Sequence, residues 1–512
     1  MSTSPKEFRF EEEARNALRE GINQTADAVA MTLGPAGRSV GLEASWGSPT
    51  ITSDGYSIAQ QVELKDPFQN MGAAIARETA SKIKERAGDG TTTGILLLRA
   101  LVQGGMKNIA AGANPTAIKR GMEKALEKTL AAIDELSKPV HDIKDLASSD
   151  PEVSAVMAEA FSKVGKKGIV TLEEGKSTET VIELTKGMQF DRGYASPYFC
   201  TNAEKMVVEM EQPFVLITDK KISSAQEILP ILQHVAAAGL SLFIIADDID
   251  GDALSTLVMN KLRGTLRVAA AKAPGFGDGR KAVLEDLAVL MGAELISEER
   301  GLSLKETSFE MLGRADQIVS GKEKTTIVGG KGNVKERIAQ IDAELKTVST
   351  KYDREKLEER RAKLQGGVAV IRVGAVTESE MKKKKQLYED CLHSTRAALE
   401  EGVVAGGGVA LLRATQELKM RLPEEEKVGL DIFRAACEVP VRQLAMNTGF
   451  DSAVVMHEVL EKGGNFGFNV LTEKVEDLVK AKVLDPVKVV KSSLTHAVSA
   501  AGVTLLSEAL MA

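Results

Sequence analysis

Cysteine is scarce: Cys200, Cys391 and Cys437 are the three in 512 residues. An odd number at wide spacing argues against a disulfide framework and fits a reducing cytoplasm. The five histidines show no metal-ligand spacing, so each reads as a surface or packed residue. No apolar run approaches the ~20 residues needed to span a bilayer, so no membrane role is expected. Basic blocks are missing as well. Net charge is −7, from 66 Lys and Arg against 73 Asp and Glu, which argues against nucleic acid as the main partner. The first residues lack the apolar stretch of a secretory signal. Glu7 and Glu11 to Glu13 do not suit an organelle transit peptide. No GxxxxGK(S/T) loop occurs, which excludes a Walker-type phosphate site. What remains is an ordinary soluble composition, 43% hydrophobic and 27% charged. The length exceeds what one core supports and predicts several domains.

The most informative stretch is Gly88-Asp89-Gly90-Thr91-Thr92-Thr93, running into an apolar helical segment from Gly94. Glycines at a turn free backbone N–H groups to face an anion. Three threonines at a helix start can cap it and hold phosphate oxygens at its positive end. Asp89 among such groups suggests a bridging Mg²⁺, a hard ion that takes oxygen ligands. Taken alone, the stretch reads better as a glycine turn with a helix cap. Three other segments join it. Thr32-Leu33-Gly34-Pro35 ends an amphipathic helix marked by Ala14, Leu18, Ile22, Ala26 and Val29. Thr50 to Gly55 places an Asp-Gly turn after β-prone residues. Gly406-Gly407-Gly408 lets backbone approach a flat ligand. By contrast, Gly275 to Gly279 has GxGxG rather than GxGxxG spacing and reads as a connection.

Residues from Glu11 to about Leu136 read as mostly helical, with a strand pair around Ser39 to Thr52. The stretch from Gly402 to Ala512 also reads as helical. In the middle, Phe214 to Thr218, Leu242 to Ala246 and Leu266 to Ala271 are strand-like. Helical patterns at Ala225 to Ala238 and Gly251 to Arg263 separate them, which predicts an α/β domain. Val334 to Leu364 predicts a helical hairpin with a solvated charged face. The two helices of the α/β region carry more apolar residues than one buried face needs, as in Ile228, Leu229, Ile231 and Leu232. An exposed apolar patch binds unfolded chains without a sequence code.

The glycine and threonine segments together resemble one family, the group I, GroEL-type chaperonins. Lys186-Gly187-Met188-Gln189-Phe190-Asp191-Arg192-Gly193-Tyr194 also resembles family blocks. So do Lys272 to Asp278, Tyr352 to Leu357 and Leu484-Asp485-Pro486, all in family order. The resemblance covers nearly the whole chain. It implies a multidomain, mainly α chaperonin fold with an inserted α/β apical domain. An equatorial domain would comprise residues 1–134 and 402–512, an intermediate domain 135–186 and 368–401, and an apical domain 187–367. Gly187, Gly366, Gly367, Pro139 and Gly402 stand where hinges would fall, and equally where plain turns would.

The resemblance also implies ATP, Mg²⁺ and K⁺ as cofactors. Carried over by position, Thr32, Leu33, Gly34 and Pro35 would pack against phosphates and the adjoining nucleotide. Asp89 would hold Mg²⁺, while Gly90, Thr91, Thr92 and Thr93 would hold phosphate oxygens. Gly407 would approach ribose and base, Asn469 the base and Asp485 the ribose. Asp54 and Asp390 match two carboxylates beside the terminal phosphate, and Asp390 would orient the attacking water. The implied client groove comprises Leu229, Leu232, Leu254, Val258 and Met259, with Tyr194, Tyr198 and Phe199 nearby. Implied partners are non-native proteins, a GroES-type lid and further copies in a ring. Two stacked seven-membered rings are the family norm, and Arg442 and Asp451 match a ring–ring contact.

Several positions depart from the family pattern. Ser53 stands where a lysine precedes the Asp-Gly turn, and Ala36 replaces another lysine. His141 to Glu152 is shorter than usual. Val470 and Leu471 replace small residues in the nucleotide pocket, and the usual Gly-Gly-Met tail is absent. These departures suggest a divergent paralogue. They leave open an ATP-driven folding chaperone or a relative that binds clients or co-assembles but hydrolyses ATP poorly.

Overall fold

The computed structural model describes residues 6–43, 49–140, 151–165, 168–175, 177–203, 205–275, 277–348, 350–416 and 418–512. The shortened 141–152 segment therefore lies almost wholly outside the described residues. The chain forms two compact units. One joins the segment up to Ala158 with that from Glu378 onward; the other runs from Glu159 to Thr377.

The first unit is mainly helical. Its long helices span Glu11–Ala30, Pro67–Ala87, Thr91–Ala110, Pro115–Leu136, Glu378–Glu401, Glu424–Asn447 and Val487–Leu505. The predicted apolar stripe of the first helix faces inward: Ala14, Leu18, Ile22, Ala26 and Val29 are all buried. The crossing of the Glu11–Ala30 and Pro67–Ala87 helices brings their backbones into contact through two glycines. A Cβ on Gly21 would lie 1.9 Å from the Gln69 carbonyl oxygen, and one on Gly72 would lie 2.2 Å from that of Leu18. Helix starts are set by side chains. Asp66 accepts hydrogen bonds from the Phe68 and Gln69 amides, and Asn114 from those of Thr116 and Ala117. Such caps contribute about 1 kcal/mol each.

The strand pair near residue 40 occurs as Val40–Leu42 antiparallel to Thr50–Thr52. The stretch after Gly402 is not wholly helical, which corrects the expectation. Val403–Ala405 pairs with Leu484–Pro486, and Phe466–Asn469 forms a hairpin with Lys474–Asp477. The final strand Ala509–Met511 pairs with Phe8–Phe10. Each strand here has only three or four residues, too short for a period-two pattern to show.

The second unit contains the expected α/β layer. Arg267–Lys272, Ser241–Ala246, Phe214–Thr218 and Leu295–Ile296 lie side by side and parallel. Their apolar runs, such as Leu242 to Ala246, are buried on both faces, as parallel strands covered by helices require. Two further sheets complete the unit. One is antiparallel, in the order Gly187–Phe190, Thr325–Val328, Gln317–Ser320, Val208–Glu211. The other places Val368–Val373 between Ile169–Glu174 and Val181–Thr185. The helical hairpin is Lys335–Thr347 with Lys351–Gly366. Its charge is not all solvated. Arg337 and Arg360 donate at 2.7 and 2.7–2.8 Å to Asp286, whose side chain is fully buried on the Gly277–Met291 helix. That pairing replaces the lost hydration of a buried carboxylate.

Candidate functional site

The glycine–threonine loop joins two helices of the first unit. The Pro67–Ala87 helix ends at Gly88, in the left-handed region at φ 77°, with its N–H donating to the Lys84 carbonyl at 2.9 Å. Gly90, at φ 87°, starts the Thr91–Ala110 helix, and no side chain caps it. The first-turn amides at Thr91, Thr92 and Thr93 thus belong to an anion-ready helix end. Asp89 folds into the turn, its carboxylate accepting the Gly90 N–H at 2.6 Å and the Ser394 hydroxyl at 2.6 Å.

Two other carboxylates join this loop. Asp54 caps the Gly55–Gln61 helix, accepting from the Tyr56 and Ser57 amides and, at 2.6 Å, from the Ser57 hydroxyl. A Cβ on Gly55 would fall 2.0 Å from Thr92 Oγ1, so the Asp54 turn abuts the threonines. Asp390, on the Glu378–Glu401 helix, pairs with Lys84 at 3.0 Å and accepts from Gln386 at 2.9 Å. Burial pushes the Asp390 carboxyl up to about 7; Lys84 pulls against this, while Asp89 and Asp54 add to it. Burial also works against the Lys84 charge, but Asp390, Asp54 and Asp89 outweigh it and raise that pKa. His393 packs against Gly88 and is held neutral, its pKa lowered to about 4 by burial and by Arg396 and Lys84. Ser53 is exposed beside Asp54.

The remaining nucleotide candidates gather around the second glycine loop. Asp485 accepts hydrogen bonds from the Gly408 and Gly407 amides and feels the charge of Asp89. Burial is the largest influence and holds its carboxyl at about 6. Gly407 lies at φ 62°, and a Cβ there would touch Leu478 and Leu444 at 3.5 and 3.8 Å. Leu444 also faces Gly34. The Asn447 amide donates to the Ala30 and Leu33 carbonyls at 3.0 and 2.9 Å, tying the Thr32 to Pro35 turn to the same helix. Asn469 is buried, with its carboxamide donating to Glu476 and accepting from the Leu471 amide. Leu471 stands 70% exposed at the hairpin tip, and Val470 is half-buried.

Lys84, Ser394 and Asn447 escaped sequence reasoning. Lys84 reads as an ordinary basic residue in a last helical turn, where it would favour the helix dipole. Ser394 and Asn447 lie far along the chain from the groups they hold.

In the second unit, the apolar candidates divide by exposure. Tyr198, Met259 and Leu229 are 65%, 47% and 43% exposed, and Tyr194, Leu254 and Val258 are half-buried. Phe199 and Leu232, expected at a client-binding surface, are instead core residues at 0% and 4%. Ile228, Ile231 and Leu257 are also buried. Leu262, not singled out before, is 59% exposed on the same helix as Met259. Lys261 donates to the Cys200 carbonyl at 2.9 Å, setting that helix against the Tyr198 segment.

Comparison with known proteins places the chain in a family. The model of the TCP-1/cpn60 chaperonin family matches residues 25–512. Chaperonin GroEL 3 of Protochlamydia amoebophila (strain UWE25) is 59% identical over 519 residues, covering 99% of this chain and 97% of the relative. With its mainly helical, multidomain chaperonin fold, the chain belongs to the TCP-1/cpn60 chaperonin family as a group I, GroEL-type paralogue, an ATP-dependent molecular chaperone.

Proposed function

We propose that the first unit binds and hydrolyses ATP and that the second captures non-native protein. The observation that carries this reading is the convergence of Asp54, Asp89 and Asp390 on the uncapped start of the Thr91–Ala110 helix. Phosphoryl transfer asks mainly for positioning and charge stabilisation. The amides of Thr91, Thr92 and Thr93 would hold phosphate oxygens. Asp89 presents carboxylate oxygen suited to Mg²⁺, which draws its other ligands from phosphates and water. The ion would offset charge on the phosphates; K⁺ is a further cofactor of the reading. Asp390 would orient the attacking water and take its proton, for which a carboxyl near 7 is well matched. Asp54 would stand beside the terminal phosphate. The loop Gly406 to Gly408, with Asp485, Asn469, Val470 and Leu471, would receive ribose and base.

The exposed Leu229, Met259 and Tyr198, with half-buried Leu254, Val258 and Tyr194, would bind unfolded chains and the mobile segment of a GroES-type lid. Met259 suits variable partners because its side chain adapts. Ring assembly, the three-domain division and a cytoplasmic setting follow from the same reading. The alternative of a poorly hydrolysing relative rests on Ser53, which leaves no cation on the Asp54 turn, and on the shortened 141–152 segment.

The test is Asp390→Ala. Calorimetry should show ATP binding retained with Mg²⁺, while turnover disappears. Loss of both together, or turnover unchanged, would contradict the role given to Asp390.

A further inference from the structure

We propose that Lys84 is the cation that meets the terminal phosphate of ATP, taking the place that Ser53 leaves without charge. The inference rests on the nucleotide reading of this site. Lys84 sits one turn before the phosphate loop, and its carbonyl accepts the Gly88 N–H that closes the turn. Its ammonium pairs with Asp390 at 3.0 Å and lies 5.9 Å from the centre of the Tyr56 ring, two residues beyond Asp54. The side chain is 25% exposed, so the charge is neither solvated freely nor sealed away. An ammonium has three N–H donors. Among the described residues Lys84 makes one hydrogen bond, to Asp390, which leaves two donors for an incoming oxygen.

The charges in the site favour such a donor. Asp54, Asp89 and Asp390 all act on Lys84. A site with three carboxylates repels a polyphosphate unless cations intervene. A Mg²⁺ at Asp89 is one; the Asp54 turn supplies none, since Ser53 is neutral. Lys84 approaches from the neighbouring helix and remains protonated because its acidic surroundings raise its pKa.

A purely structural lysine would neutralise Asp390 and do nothing to the nucleotide. The two roles differ in how ATP is told from ADP. Calorimetry on the full chain should compare ADP with an ATP analogue whose β–γ bridge cannot be hydrolysed. Lys84→Gln keeps a hydrogen bond to Asp390 but drops the charge. It should weaken analogue binding at least ~10-fold and ADP binding by less than ~3-fold, with turnover reduced ~10²–10³-fold, as for loss of one preorganised stabiliser. Lys84→Arg should preserve the preference for the analogue. Moving the charge, with Ser53→Lys in the Lys84→Gln background, should restore much of the preference and of the turnover. Unchanged preference in Lys84→Gln, equal weakening of both ligands, or no restoration by Ser53→Lys would overturn the role of Lys84. If the unmodified chain binds neither ligand, the nucleotide reading falls, and the role of Lys84 with it.

Discussion

The candidate nucleotide site and the apolar surface are built on opposite principles. At the first, position is set by backbone. Gly88 and Gly90 hold left-handed turns, and Asp89, Asp54 and Asp485 are each fixed by amide donors. At the second, side chains project from two helices whose opposite faces are sealed in the core by Ile228, Ile231, Leu232 and Leu257. A polar site needs each partner in place, because an unpaired buried group costs ~1–3 kcal/mol. An apolar surface needs only area. One region is therefore demanding about residue identity and the other tolerant, as fits a fixed nucleotide and varied clients.

The sharpest contrast comes from single changes at each. Asp390→Ala removes the carboxylate proposed to orient the attacking water and should lower turnover ~10²–10⁴-fold, the usual worth of a positioned acid–base residue. Client capture measured without nucleotide should be unaffected. In the second unit, the neighbours Leu229 and Leu232 should behave differently. Leu232→Ala opens a cavity in the core and should cost ~2–5 kcal/mol in denaturant unfolding of the protein. Leu229→Glu should shift stability by less than ~0.5 kcal/mol, as for exposed positions, yet abolish capture of a denatured client. Normal capture by Leu229→Glu would place the contact elsewhere.

The smallest effect separates the two regions by pH. The Asp390 carboxyl lies at about 7, raised from an ordinary 3.8 chiefly by burial. Its charged form, which would accept the proton, thus becomes dominant only above about 7. On the role proposed for Asp390, kcat/KM for ATP, which reports the free protein, should rise about tenfold per pH unit below that point and level above it. Stability has the opposite sign. The folded carboxyl holds its proton more tightly than the unfolded one, so this group's contribution falls as pH rises from about 4 to about 7. The proposed client surface is formed by apolar and tyrosine side chains, so capture should change less than turnover through this window.

Two turns of the candidate nucleotide site were legible because each is contiguous in the chain. Gly88 to Thr93 announces a turn and a helix start, and Thr50 to Gly55 announces another turn. Phe214 to Thr218 forms the very strand its apolar run predicts. Lys84 was not legible: nothing in its own neighbourhood tells that Asp390, over 300 residues on, will meet it. The Val403–Ala405 pairing with Leu484–Pro486 is hidden for the same reason, since ladder partners lie far apart in the chain. On the helices Leu229–Ala237 and Gly251–Leu262 the difficulty is one of direction. Apolar residues at Leu229 and Leu232 look alike in sequence, and only packing decides which faces inward. The charged helical hairpin misled similarly, because Arg337 and Arg360 turn toward a buried aspartate.

The most direct test of the account is the refolding yield of a denatured protein in the presence of this chain, measured with and without ATP and Mg²⁺ alongside a GroES-type lid. The account predicts capture without nucleotide and productive refolding only when ATP, Mg²⁺ and the lid are all present. Equal refolding yields with and without ATP would contradict it.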